Sequence, residues 1–219
     1  MTTATMRIER ANASRRNRKA VLCLIDEASS WLRTKDTDQW AKPWPSRRKR
    51  NKRIRLGLKH GQTWIVWHET NPVATVTIAE EANDMVWQDA ECDLSARAVY
   101  VHRLVTARNY AGLGLGGQLI DWAGQRERDR TGAQWIRIDV WSENTALHAY
   151  YMKQGFVRCG QCPDPAYPSG TLFQKPVAGI REVRIPTFPD PAAEFDLIAL
   201  NAPDPVRRDA GKVGASAMA

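Results

Sequence analysis

The sequence predicts an α/β (α+β) chain built around a single sheet. Segments of strand character alternate along it with helices whose apolar residues recur every three or four positions. Near the middle, four glycines in six residues, from Gly112 to Gly117, stand between a strand and a helix. With 219 residues and 43% hydrophobic content, the chain is long enough for one packed domain and a tail.

Residues 4–10 read as a first strand, with Met6 and Ile8 alternating against Arg7 and Glu9. Asn12 or Ser14 caps a helix over about 14–32, whose apolar stripe is Val21, Leu22, Leu24, Ile25, Ala28 and Leu32. Trp31 and Trp40 are expected to pack the core. Pro43 and Pro45 break the chain, and the basic stretch after them reads as a second helix ending near His60 and Gly61. Residues 63–69 and 73–79 form a hairpin turning at Thr70, Asn71 and Pro72. The acidic segment 80–97 reads either as a polar loop or as a surface for a cationic amine.

The central elements carry the strongest signals. Residues 98–106 are rich in β-branched and aromatic side chains, as a strand requires. Leu115, Leu119, Trp122 and Ala123 share one face of a helix running to about Arg130, and Gly132 marks its end. A strand over 134–140 follows. Asn144 opens a short helix that closes at Gly155, and strands at 157–159 and 171–175 flank a loop at 163–169. From 186 onward Pro, Ala and Asp dominate, so the domain is expected over 1–185 with an extension over 186–219. Residues 195–200 are expected to dock on the body, and 201–219 have the composition of a mobile tail.

The net charge of +8 comes from two local runs, Arg15–Lys19 and Arg47–Arg55, without which the remainder is acidic. Such a run is a solvated helix face or a polyanion contact, so nucleic acid at 47–55 is a secondary expectation. No stretch of 18 apolar residues is present and the start lacks a signal peptide's apolar core, so neither membrane nor export is expected, and the expected location is cytoplasmic. Cys23, Cys92, Cys159 and Cys162 are expected as reduced thiols. Cys159 and Cys162 have the spacing of half a zinc site, but no second pair matches, so no metal is expected.

Glycines between a strand and a helix let the backbone approach a ligand closely. The free N–H groups at the positive end of the helix then suit a phosphate or pyrophosphate. Gly112–Gly117 also fits the dinucleotide fingerprint G-x-G-x-x-G, with Asp139 near the place of a ribose-binding acid. Against that reading, residues 107–111 separate strand from glycines, and little chain remains for a doubly wound sheet. A triphosphate P-loop is excluded, because no Lys-Ser/Thr follows the glycines.

Asn144, Tyr151, Lys153, Gly155 and Phe156 resemble the Asn…Tyr-x-Lys-x-Gly-Phe segment of the GNAT superfamily of acyl-CoA-dependent N-acyltransferases. The glycine run resembles that family's Gln/Arg-x-x-Gly-x-Gly/Ala pyrophosphate loop, in the same order and spacing. Ala111 stands where Gln or Arg is usual, and Arg108 is the nearby basic substitute. The resemblance implies a mixed, mostly antiparallel sheet flanked by helices, with a cofactor cleft between two splayed central strands. It implies acetyl transfer from acetyl-CoA to a primary amine, by direct attack within a ternary complex.

Carried over residue by residue, Leu104, Val105 and Thr106 pair with the pantetheine arm. Gly112, Leu113, Gly114, Leu115, Gly116 and Gly117 cradle the pyrophosphate, and Asn144 hydrogen-bonds the arm. Tyr151 serves the leaving thiolate. Asp139 takes the position of a glutamate proposed as base in ribosomal-protein N-terminal acetyltransferases, which this segment resembles. It acts through a water, or else is ion-paired with Arg103 or Arg137. Glu80, Glu81 and His102 are the other candidates for the base. Trp44 and the basic run are candidate acceptor contacts. The expected acceptor is a small-molecule amine, and the protein is either a monomer or a homodimer. The competing classes are a non-catalytic acyl-CoA-binding protein and a nicotinamide-dinucleotide-binding protein.

Overall fold

The computed structural model describes residues 5–180 and the backbone of a two-residue strand at Phe195–Asp196. Eight strands form one sheet in the order β6-β7-β5-β4-β3-β2-β1-β8. β1 (Thr5–Arg10), β2 (Thr63–His68), β3 (Asn71–Ala79) and β4 (Ala98–Thr106) make an antiparallel half. β5 (Trp135–Val140), β7 (Thr171–Pro176) and β6 (Val157–Gln161) make the other, also antiparallel. The halves meet at the sole parallel pair among the described strands, β4 with β5. β8 (Phe195–Asp196) adds to β1 through Met6 and Thr5; of the segment 195–200 expected to dock, residues 197–200 lie outside the described residues. The rest of the extension lies outside the described residues.

Helix α1 (Arg15–Leu32) starts where Ser14 accepts the Asn17 N–H, and α2 (Arg47–Lys59) where Ser46 accepts that of Lys49. Both cover one face of the β1–β4 half. Val21, Leu24, Ile25, Ile54 and Leu58 bury there against Ile65, Trp67 and Val105. The other face carries α4 (Leu115–Thr131) and α5 (Thr145–Lys153), with Leu115, Leu119, Trp122 and Tyr151 packed on Val76, Val101 and Ile138. Deleting one such buried leucine side chain costs about 2–5 kcal/mol.

The 80–97 segment is not wholly loop. A one-turn helix, α3 (Asp84–Trp87), tucks Val86 and Trp87 against Tyr100, Leu172, Cys159 and Cys162. The two cysteines are buried core residues here. Burial and the neighbouring Cys92 push the Cys159 thiol up to about 12.

Two departures from regular pairing shape the centre of the sheet. β4 and β5 pair only as far as Tyr100 with Arg137, whereas β5 stays registered with β7 up to Val140. Beyond Tyr100 the two central strands therefore separate. β4 also bulges: Arg103 and Leu104, between His102 and Val105, face the single Val76 between Thr77 and Thr75, and Arg103 has φ +49°.

Candidate active site

The gap between β4 and β5 opens into a cleft of about 950 Å³. Its walls include Leu104, Val105 and Thr106 of β4, the glycine loop, Asp139 of β5, and Asn144 and Tyr151 of α5. Of the predicted cofactor-binding residues only Leu113 and Gly117 are not on this wall, and both adjoin residues that are.

Gly112 and Gly114 have φ of +81° and +76°, a left-handed region that a side chain disfavours. A Cβ at Gly112 would meet nothing within 4 Å, so the space above the loop is open. Gly114 is the N-cap of α4 and offers no side chain, and the first turn of that helix holds no acid. Its leading N–H groups consequently point at the cleft without an internal partner, as an anion site requires. Gly116 and Gly117 serve a second purpose. A Cβ on them would lie 2.9 Å from Tyr150 Oη and 2.6 Å from the flexible end of Gln154, so it is bareness at Gly116 that lets α5 bring Tyr150 close.

Tyr151 is buried between Tyr150 and Phe156, edge-on to both at 5.3 and 5.4 Å. Burial, then the charges of Tyr150 and Asp139, push its phenol far above the ordinary tyrosine range. It therefore stays protonated and able to donate at any physiological pH.

Asp139 pairs with neither Arg103 nor Arg137, contrary to the ion-pair alternative. Tyr167 donates to its Oδ2 at 2.6 Å, and His102 Nδ1 lies 3.0 Å from its Oδ1. That second contact is an ion-pair approach rather than an aligned hydrogen bond, since Oδ1 finds no partner of good geometry. Burial raises the carboxyl, but the His102 charge and the hydrogen bonds outweigh it, and Asp139 is held below the usual carboxylate range. Arg137 instead donates to Tyr100 Oη at 3.0 Å and to the Asp93 carbonyl at 2.5 Å.

The remaining base candidates separate cleanly. His102 is on the cleft wall with its side chain 30% exposed. Glu80 is exposed and paired with Arg130 at 2.5 Å. That arginine sits at the far end of α4, roughly 22 Å along the helix from the glycine loop. Glu81 is exposed beside it.

Asn144 caps α5 by accepting the Leu147 N–H at 3.0 Å, and donates to Gln39 Oε1 at 2.6 Å. One of its two amide hydrogens is thereby left over. Trp141 Nε1 likewise donates to Asp38 Oδ1 at 2.6 Å. Through these two bonds the loop between α1 and α2 crosses the cleft from one half-sheet to the other. Trp31, expected in the core, is half-buried on the cleft wall with Arg108 stacked 3.7 Å over its ring. Trp40 does pack against the α1–α2 core, as expected, and also reaches the cleft wall. Trp44, a predicted acceptor contact, meets Tyr167 edge-on at 5.1 Å. Tyr167, Asp38 and Gln39 carried no signal in the sequence, since only folding brings them to Asp139, Trp141 and Asn144.

Residues 26–156 match the model of the Acetyltransferase (GNAT) family. The chain belongs to the GNAT family of acetyltransferases. It is an acyltransferase with the mixed, mostly antiparallel open sheet of that family. Among its GNAT relatives, the Bacillus subtilis protein named uncharacterized N-acetyltransferase YesJ is 25% identical over 143 residues, covering 63% of this chain and 75% of the relative. A GNAT acetyltransferase structure from Streptococcus agalactiae superposes with a TM-score of 0.60 at 18% identity, covering 81% of this chain and 96% of that one. The PaiA N-acetyltransferase of Thermoplasma acidophilum, solved in complex with coenzyme A, gives 0.57 at 12% identity, covering 80% and 99%. Among the described residues no helix is long and apolar enough to cross a membrane.

Proposed function

We propose that the chain transfers an acetyl group from acetyl-CoA to a primary amine of a small molecule. The observation that carries this reading is the convergence, on one cleft, of open amides at the α4 N-terminus, a protonated buried Tyr151 and a His102–Asp139 pair. Acetyl-CoA supplies the acyl group as a thioester. The amides from Gly112 to Gly117 would hold its pyrophosphate. The Leu104–Thr106 stretch of β4, with the spare amide hydrogen of Asn144, would hold the arm.

An alkylammonium has an ordinary pKa of about 10.4, so the amine must lose a proton before it attacks. Asp139 accepts from Tyr167 through Oδ2 and faces the His102 imidazole through Oδ1. We therefore assign proton acceptance to His102, directly or through a water, and orientation of the imidazole to Asp139. Tyr151, kept protonated by its raised pKa, hydrogen-bonds the departing sulfur, and the thiolate takes up the proton released from the amine. The loop that crosses the cleft favours a small acceptor, because a protein chain needs an open groove.

Thiol release over a panel of amines tests the reading, with Tyr151→Phe as the control. Turnover that requires Tyr151 supports it. Unaltered turnover in the variant removes Tyr151 from the mechanism, and a chain that binds acetyl-CoA without turning over any amine is a binding protein. Calorimetric titration with acetyl-CoA and with NAD separates the dinucleotide alternative, and tight binding of NAD alone overturns the proposal.

A further inference from the structure

The bulge in β4 sets Arg103 on the cleft wall in a left-handed backbone conformation, which a non-glycine residue keeps only where its surroundings impose it. Arg103 lies in the electrostatic neighbourhood of Arg53, Asp139 and Tyr167. Arg53 stands at the mouth of the same cleft, donating to the Trp44 carbonyl with its guanidinium 5.3 Å from the Trp44 ring centroid. Among the described residues neither arginine has an ion-pair partner, whereas Arg50 beside them is matched by Asp26 at 3.1 Å. Asp139, the carboxylate in that neighbourhood, is already held by Tyr167 and His102.

Two guanidinium groups and an imidazole thus share one occupied carboxylate. Burial, and next the Arg53 charge, pull Arg103 below the usual guanidinium range, as expected of like charges without an acid between them. Partly buried like charges are costly unless a counter-charge completes them. The planar donor fork of arginine matches carboxylate and phosphate geometry.

The geometry points to an acceptor that carries an anionic group, a carboxylate or a phosphate, on the same molecule as its amine. Arg53 and Arg103 hold the anion, and the amine turns toward His102. This rests on the acetyl-transfer reading above and names its substrate class. The same positive surroundings lower the pKa of the bound ammonium, which helps the amine to attack in its neutral form. Among the described cleft-wall carboxylates Asp139 is engaged by Tyr167 and His102, which leaves a purely cationic acceptor such as a polyamine only Asp36 of the α1–α2 loop. The phosphates of coenzyme A are provided for further along, beyond the end of β4, by the glycine loop and Arg108.

The test uses matched pairs with the full chain. L-amino acids are compared with their amides, and O-phosphoethanolamine with ethanolamine, with spermidine as the cationic arm. Thiol release from acetyl-CoA gives kcat/KM. The anion-bearing member of a pair is expected to exceed its neutral partner by about 10²-fold. In Arg53→Met and in Arg103→Met that ratio should fall toward one while the KM for acetyl-CoA holds. Arg53 is at the surface of a helix, so its variant keeps the test open if Arg103→Met does not fold. The better of the carboxylate and phosphate arms names the anion.

The same pairs are titrated calorimetrically into protein saturated with coenzyme A. Selective binding of the anionic member upholds the anion site even if nothing turns over, in which case it is the transfer reading that fails. Amides or spermidine binding or reacting as well as the anionic members overturns the inference, as does binding by none of the probes.

Discussion

Asp139 touches two neighbours with two oxygens, so its replacement separates orientation from binding. Asp139→Asn keeps the shape but removes the charge that holds His102. It should lower kcat by about 10²-fold with little change in the KM for acetyl-CoA, measured by thiol release. Tyr151→Phe should produce a loss of similar size, because the leaving sulfur then lacks its hydrogen-bond donor. At this scale the place of Tyr151 and Asp139 on the cleft wall was legible, since each stands at a fixed offset from Asn144. The contact of His102 with Asp139 was not, although His102 was among the candidates for the base. A strand histidine reads as a polar neighbour until Asp139 of the next strand is placed 3.0 Å away. Tyr167 was hidden for the same reason: only the β5–β7 pairing delivers its loop to the site.

α4 lies on the sheet through positions that tolerate no side chain. At Gly124 an added Cβ would sit 2.5 Å from Ile136 Cδ1, within a fully buried contact. Gly124→Ala is therefore expected to destabilise the fold by about 1–3 kcal/mol in denaturant titration. Gly117→Ala provides the contrast. Its methyl meets the flexible end of Gln154, and alanine gains about 1 kcal/mol of helix propensity over glycine, so the net change should stay near zero. Elements were the most legible level of this chain. Helix α4 and strand β4 announce themselves by apolar periodicity, and Gly132 ends the helix with φ +73° as its position suggested. Helix α3 was missed because a single turn gives no period to detect. The bulge at Arg103 was missed because no glycine marks it.

Over the whole molecule, buried phenols set the alkaline limit. Burial raises Tyr151 and Tyr167 above the ordinary value of 10.0. Both protons are kept in the folded chain while the unfolded chain releases its own near pH 10. Their contribution is complete below that pH and is lost as pH climbs toward the folded values. Tyrosinate absorbance should therefore lag in the folded protein and appear in step with alkaline unfolding. Tyr151→Phe and Tyr167→Phe should each shift that unfolding to higher pH. Asp139 works in the opposite sense. Its depressed pKa contributes stability above the carboxylate range of about 3.9, which is lost as acidification reaches its folded value.

The molecule's plan, one sheet with helices on both faces, followed from the order of the elements. The crossing of the cleft by the α1–α2 loop did not, because it depends on hydrogen bonds between residues more than a hundred positions apart. Past Tyr100 the two half-sheets share no ladder, and Asp38 and Gln39 tie them across the opening, beside the His102–Asp139 contact within it. Cutting both ties, in Asp38→Ala with Gln39→Ala, should let the halves breathe about the Ala98–Tyr100 and Trp135–Arg137 seam, with deuterium uptake quickening at those amides and unchanged in β2.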